Sequence, residues 1–251
     1  MNRADKIASW LKERAAAAKA EGFVFGLSGG IDSAVVARLC QMAAPDRVLG
    51  VMLPCYSQAQ DEQDAILVAD AFKIPAVRVD LSHTFDALGG ALDHALTEQH
   101  PRYTVDVVDI KQRLPRANIK PRLRMTSLYY VANALNYVVA GTGNKSEITL
   151  GYYTKYGDGG VDVLPIGGLL KSEVWALARE IGVPEKVITK APTAGLWPGQ
   201  TDEAEMGFTY DMLEKYLSGS KDVPAVVATR IEKLRAASDH KRALPPIAPV
   251  D

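Results

Sequence analysis

Cysteine and histidine are scarce in this 251-residue chain, with two of the first and four of the second. Cys40 and Cys55 do not form a C-x-x-C pair, and the histidines are scattered without metal-ligand spacing. A disulfide framework and a structural zinc site are therefore not expected, and a reducing cytoplasm is the expected compartment. An excess of either charge is also missing. With 29 basic and 30 acidic residues, nothing in the balance points to nucleic acid or to a membrane surface. No apolar run reaches bilayer-spanning length, and the N-terminus lacks the basic-then-apolar order of a signal peptide. Two common nucleotide signatures are absent, the G-x-x-x-x-G-K-[ST] loop and the G-x-G-x-x-G fingerprint. There is no internal repeat, and the low-complexity run Ala15–Ala18 is simply strong helix former. The length suits a single domain over residues 1–251 with a substantial core.

The stretch Phe23–Val36 organises what is present. Phe23 to Leu27 is a short apolar run that reads as a buried strand. Ser28-Gly29-Gly30 breaks it. A helix follows, with Asp32 and Ser33 in its first turn and apolar residues from Ala34 to Leu39. Strand, glycine turn and helix N-terminus form a phosphate-binding geometry: glycines let the backbone approach an anion, and converging N–H groups and the helix dipole hold it. Asp32 suits a helix N-terminus but would repel a polyphosphate. A divalent cation between the two removes the conflict, so the stretch predicts a nucleotide with Mg²⁺ held partly by Asp32.

Gly26-Leu27-Ser28-Gly29-Gly30-Ile31-Asp32-Ser33 contains the S-G-G-x-D-S loop and resembles the ATP pyrophosphatases. The resemblance implies that this loop binds ATP and grips the pyrophosphate leaving group while an acceptor is adenylylated.

Along the chain, Arg3–Lys19 reads as an amphipathic helix with Ile7, Trp10, Leu11 and Arg14 at helical spacing. After the motif helix, which runs to about Met42, Val48–Leu53 is a second strand. Asp61–Phe72 is a helix with Ile66, Leu67 and Ala69 at its apolar positions, and Pro75–Leu81 is a third strand. This alternation implies an α/β fold, a doubly wound parallel sheet with helices on both faces, whose ligands bind beyond the strand carboxyl ends. Phe85–Leu96 reads as a helix, His100–Pro115 is ambiguous, and Asn118–Asn136 is a long helix followed by a strand from Tyr137 to Ala140. Gly141–Gly160 reads as a functional loop. Lys171–Ile181 is a helix, Thr193–Gln200 a candidate lid, and two more helices span about Asp202–Leu217 and Pro224–Ala237 before a Pro-rich tail.

A second constellation follows the fourth strand. Thr142 and Glu147 would reach the same sheet edge as the phosphate loop, where Asp32 and Glu147 suit an octahedral Mg²⁺ that keeps some waters. Thr154-Lys-Tyr-Gly-Asp-Gly-Gly160 places glycines around Asp158 for close approach to a ligand. Both segments resemble the ammonia-dependent NAD synthetases, whose fold is adenine nucleotide alpha hydrolase-like, and the matches run from Gly26 to Lys241. The resemblance implies that Arg122, Lys155, Asp162, His240 and Lys241 contact deamido-NAD (nicotinic acid adenine dinucleotide). It implies that Thr142, Lys171 and Thr193 contact ATP, and that Asp32 and Glu147 hold the metal. A lysine at a helix start opposes the dipole, which also favours a ligand role for Lys171. Met52 stands where many members carry an arginine, so contact with adenine there is expected to be apolar or through backbone.

The implied reaction is ATP-dependent amidation. The nicotinate carboxylate attacks the α-phosphorus of ATP, pyrophosphate leaves, and ammonia displaces AMP from the NAD-adenylate to give NAD⁺. Lys171 would stabilise the developing charge and Asp158 would bind ammonium and take its proton, turn formation being the competing role of that side chain. Only about one helix precedes the loop, so free ammonia is the expected donor. A homodimer is also implied, with the helix from Asn118 and its Tyr129, Tyr130 and Tyr137 at the interface. The alternatives are an ATP pyrophosphatase acting on a different carboxylate, a tRNA-thiolating enzyme, and a non-catalytic ATP-binding module.

Overall fold

The computed structural model describes residues 2–99, 110–193, 195 and 200–250. Four parallel strands make the sheet: β1 (Gly22–Gly26), β2 (Val48–Met52), β3 (Ala76–Arg78) and β4 (Tyr137–Val139), in the order β3-β2-β1-β4. Phe23 pairs with Val48 on one side of β1 and Val24 with Val139 on the other. The chain steps outward from β1 to β3 and then crosses back to β4. The direction of winding thus reverses between β1 and β4, where α/β sheets open a crevice for ligands.

Alternate residues of β1 enter different cores, as strand geometry requires. Phe23 and Phe25 pack in a cluster fed by α1 (Arg3–Ala17), α2 (Ile31–Ala43), α3 (Ala59–Phe72) and α8 (Lys171–Glu180). Val24 joins Val51, Val139 and Phe85, with Ala132 from the long helix α6 (Ile119–Leu135). Phe85 comes from α4 (Ser82–Gln99), and α5 (Ile110–Ala117) leads into α6 with Pro115 inside it. Burying each of these large side chains is worth about 2 kcal/mol. The doubly wound parallel sheet with helices on both faces is therefore as expected.

A third cluster covers the carboxyl side. Leu150 of α7 (Lys145–Leu150), Met206 of α10 (Asp202–Met206), Phe208, Tyr210 and Leu213 of α11 (Tyr210–Leu217) and Ile231 of α12 (Ala225–Ala237) pack together. The short helices α9 (Glu185–Ile188) and α13 (Asp239–Arg242) complete the described elements.

Several expectations need correction. The buried stripe of α1 is Ala4, Ala8 and Leu11, while Trp10 is exposed. Ile66 and Leu67 of α3 face outward, and Asp64, Ala65, Val68 and Phe72 face inward. Burial of Asp64 is tolerated because Lys186 (3.0 Å) and Lys190 (2.8 Å) neutralise it. Gly141–Gly160 contains α7, formed by a capping box at Asn144 and Glu147. The single helix expected over Asp202–Leu217 is two: Gly207 at φ +84° ends α10, and the Thr209 side chain caps α11. Tyr137 opens β4, as the strand expectation has it, and so does not stand on the long helix with Tyr129 and Tyr130. Residues 100–109 of the ambiguous segment, and Ala194 with residues 196–199 of the lid candidate, lie outside the described residues.

Helix α7 ends at Gly151, whose φ is +65° and whose missing Cβ would lie 2.1 Å from Ser238 Cβ. Ser238 donates its hydroxyl to Leu150 O (2.9 Å), which locks α12 onto α7. Gly151→Ala is expected to cost at least ~2 kcal/mol, from left-handed strain and displacement of Ser238, read by urea unfolding.

Candidate active site

The site begins at the carboxyl end of β1. Leu27 N–H still bonds Val51 O (2.9 Å), and the chain then turns at Ser28. Ser33 Oγ donates to Gly30 O (2.8 Å), and the Ser28 and Ser33 hydroxyls lie 3.1 Å apart, closing the turn from within. Gly29 has φ +77°, and a Cβ there would sit 2.2 Å from Asp61 O of α3. No other residue fits without moving that helix. Gly30 caps α2 without a side-chain hydrogen bond, so the first-turn N–H groups are available to an anion.

Asp32 sits in that first turn and meets groups from two other elements. Asn144 Nδ2 donates to Asp32 Oδ1 (3.0 Å), and Lys171 Nζ donates to Oδ2 (2.5 Å). Lys171 Nζ is 3.9 Å from Glu147 Oε1. Asn144, the N-cap of α7, thus positions both acids. Asn144, fully buried, accepts from Glu147 N–H (3.0 Å) and donates its own N–H to Glu147 Oε2 (3.1 Å). Lys171 N–H donates to Ser146 Oγ (3.2 Å), which sets the start of α8 against α7.

The electrostatics follow from burial. Desolvation and the neighbouring Asp32 charge push the Glu147 carboxyl up to about 8, and Lys171 only partly offsets them. Burial lowers the Lys171 pKa, but Asp32 and Glu147 more than compensate, and the net direction is up. An ammonium between two carboxylates marks a place built for positive charge. Two carboxylates cannot fill an octahedron, so a divalent ion here would complete its shell with water or phosphate oxygens. No group of three or more Asp, Glu, His or Cys among the described residues is arranged to hold one alone.

A second group of predicted residues gathers on the loop after α7. Asp158 Oδ1 accepts from Thr154 N–H (2.9 Å), so this side chain does form a turn. Desolvation by the surrounding protein raises its pKa and that hydrogen bond lowers it, with a net rise. The Arg122 guanidinium donates to Lys155 O (3.4 Å), and Lys155 Nζ donates to His240 O (2.6 Å). Lys241 Nζ donates to Gly151 O (2.7 Å) and Tyr153 O (2.6 Å). Arg122, Lys155, Asp158, His240 and Lys241 are therefore one neighbourhood. Asp162 accepts from Val139 N–H and from Tyr129 OH, each at 2.8 Å, and so ties α6 to β4.

Thr142 is half-buried just beyond β4. Thr193 is exposed, accepts from Gly195 N–H (3.1 Å), and does not bond the phosphate loop. Its segment is held near that loop by Lys190, which pairs with Asp61 (2.7 Å) and Asp64. Arg124 donates to Leu53 O (3.1 Å), so a guanidinium stands at the end of β2 although residue 52 is methionine. Sequence reasoning missed Asn144 and Ser146. The N-x-x-E spacing of Asn144 and Glu147 was an available signal for the first; nothing local marked the second.

The family model described as NAD synthase matches residues 3–245. The NH(3)-dependent NAD(+) synthetase of Carboxydothermus hydrogenoformans is 47% identical over 245 residues, covering 98% of this chain and 96% of that protein. Among solved structures, NMN synthetase from Francisella tularensis superposes with a TM-score of 0.89 at 36% identity, covering 99% of this chain and 98% of that one. NAD⁺ synthetase from Burkholderia pseudomallei has a TM-score of 0.76 at 34% identity, with 97% and 90% covered.

Two outcomes follow from the geometry. Asn144→Ala is expected to cost ~1 kcal/mol of stability through the lost cap. It should also lower ATP turnover ~10–100-fold by releasing both acids, measured on folded protein as kcat/KM. Glu147 has a folded pKa raised from 4.5 to about 8, so its contribution to stability is full below pH 4.5 and is lost as pH rises to about 8. Melting temperatures of ligand-free protein across that range should show a downward trend that Glu147→Gln flattens.

Proposed function

The chain belongs to the NAD synthase family, and on that premise we propose that it converts deamido-NAD, ATP and ammonia to NAD⁺, AMP and pyrophosphate. The observation that carries this is the meeting of Asp32 and Glu147 on one ammonium, at the mouth of an uncapped glycine turn. A non-catalytic nucleotide sensor needs the turn but not the second acid. A thiolating enzyme would need reactive cysteines, whereas Cys40 and Cys55 are both buried and burial raises both thiol pKa values.

In the proposed reaction a nicotinate oxygen forms a bond to the α-phosphorus of ATP and the bond to the β-phosphate bridging oxygen breaks. The electron pair leaves with pyrophosphate, which the N–H groups of residues 29–33 and the Lys171 ammonium receive. Ammonia then attacks the activated carbonyl, AMP departs with the acyl oxygen, and one proton is lost. Asp158 is the proposed acceptor of that proton, and its raised pKa moves it toward the working range of a base. Arg122, Lys155, Asp162, His240 and Lys241 are the proposed wall for the dinucleotide, and Thr142 and Thr193 further contacts for ATP. Asp32 and Glu147 are the proposed ligands of Mg²⁺, which when bound would supply positive charge to the triphosphate.

We further propose one domain, a cytoplasmic location and a homodimer across α6, where Tyr130 keeps 77% of its surface exposed. Among the described residues no helix is long and apolar enough to cross a membrane.

The acceptor has one competing reading, favoured by the likeness to the Francisella tularensis NMN synthetase. Nicotinate mononucleotide carries the same carboxylate without the adenylyl half. Assays with ATP, Mg²⁺, ammonium and each acid separately, scored by AMP release, should give the higher kcat/KM with deamido-NAD. The reverse order would assign the mononucleotide, and AMP with neither would refute an amidating role on nicotinates. Asp158→Asn should lower ammonia-dependent turnover by ~10²-fold with KM for ATP and deamido-NAD unchanged; full turnover would leave Asp158 only its turn.

A further inference from the structure

Asp202 lies outside every role assigned so far. It opens α10, is 4% exposed, and its N–H bonds Pro192 O (3.2 Å). Its Oδ2 accepts from Tyr210 OH (2.8 Å), but its buried Oδ1 has no hydrogen-bond partner among the described residues. The Tyr152 hydroxyl lies beside both Asp202 and Glu205 (2.6 Å from the latter), so its single proton cannot serve the two acids at once. A buried carboxylate oxygen without a donor is costly, and in native proteins it usually marks a missing partner.

The surroundings identify that partner. The Tyr210 ring that carries the hydroxyl on Asp202 also lies 5.3 Å from Lys171 Nζ. The Asp202 charge acts on both Lys171 and Glu147. Lys171 thus pairs with Asp32 and approaches Glu147 (3.9 Å), and the Tyr210 side chain links it to Asp202, whose Oδ1 stays unpaired among the described residues. A divalent ion held by Asp32 and Glu147 would add positive charge beside the ammonium and would draw Asp32 away from Lys171. The displaced ammonium has three donors and needs an acceptor on the protein side if it is to keep donors facing phosphate.

We infer that Asp202 is the positioning residue for Lys171: when a divalent cation takes Asp32 and Glu147, Lys171 Nζ moves onto Asp202 Oδ1 and turns its remaining N–H groups to the phosphates. This rests on the proposed metal site. It assigns a function to a residue beyond the lid candidate, reached through Tyr210 rather than through the phosphate loop.

The test measures Mn²⁺ binding by electron paramagnetic resonance in the presence of α,β-methylene-ATP, on wild type, Asp202→Asn, Lys171→Met and the double variant. Asp202→Asn should weaken Mn²⁺ binding about tenfold, the order expected for one charge-assisted hydrogen bond. In the Lys171→Met background the same change should have no effect, because no ammonium remains to be received. An equal loss in both backgrounds, or no loss in either, overturns the inference. Asp32→Asn and Glu147→Gln separate the underlying reading: if wild type binds no Mn²⁺, or these variants bind it as well as wild type, the metal site itself is wrong and the inference falls with it. Should Asp202→Asn not fold, a crystal structure of wild type with Mn²⁺ and α,β-methylene-ATP decides. Lys171 Nζ bonded to Asp202 Oδ1 supports the inference, and Nζ still on Asp32 refutes it.

Discussion

The buried ion pair between Lys171 and Asp32 is the contact on which the rest of the site depends. Taking both charges out of water costs several kcal/mol, recovered only when geometry and further hydrogen bonds are good. Here the further bonds come from Asn144, whose amide donates to Asp32 while its carbonyl oxygen holds the Glu147 N–H. One ammonium therefore joins the ends of β1 and β4 to the start of α8. Pairs of this kind contribute little net stability, but removing one partner strands the others. The arrangement is better understood as a specification of where charge sits than as a source of stability.

Asp158 and Asp162 carry a different burden. Asp158 closes a turn through Thr154 N–H, and Asp162 spends both oxygens on Val139 and Tyr129. Their carboxylates are fixed by local backbone before any ligand arrives. A group held this way loses little freedom on binding, which is the physical content of preorganisation.

Much of this was legible because the constraints are local. A glycine at φ +77° between a strand and a helix, with serines that close the turn, is written in consecutive residues. The parallel, doubly wound sheet follows from the alternation of strands and helices and the handedness of crossovers. What was illegible depends on distant partners. On α3 the inward face is offset from the apolar residues Ile66 and Leu67 because Asp64 is neutralised by lysines more than a hundred positions later. The break between α10 and α11 is the exception: it turns on Gly207 and Thr209, a local signal that the single-helix reading passed over. Asp202 could not be placed at the site from sequence, since its link runs through the Tyr210 ring.

The fastening of the 151–153 loop has a consequence for the order in which the protein is made. Lys241 and Arg242 hold the carbonyl groups of Ile148, Thr149, Gly151 and Tyr153 from about ninety residues downstream. The strand, turn and helix around Ser28 are built from β1, α2 and α3, all upstream of that loop. The clasp on residues 148–153 closes only when Lys241 and Arg242 are present. In a growing chain the glycine turn can therefore form before the loop after α7 is fastened.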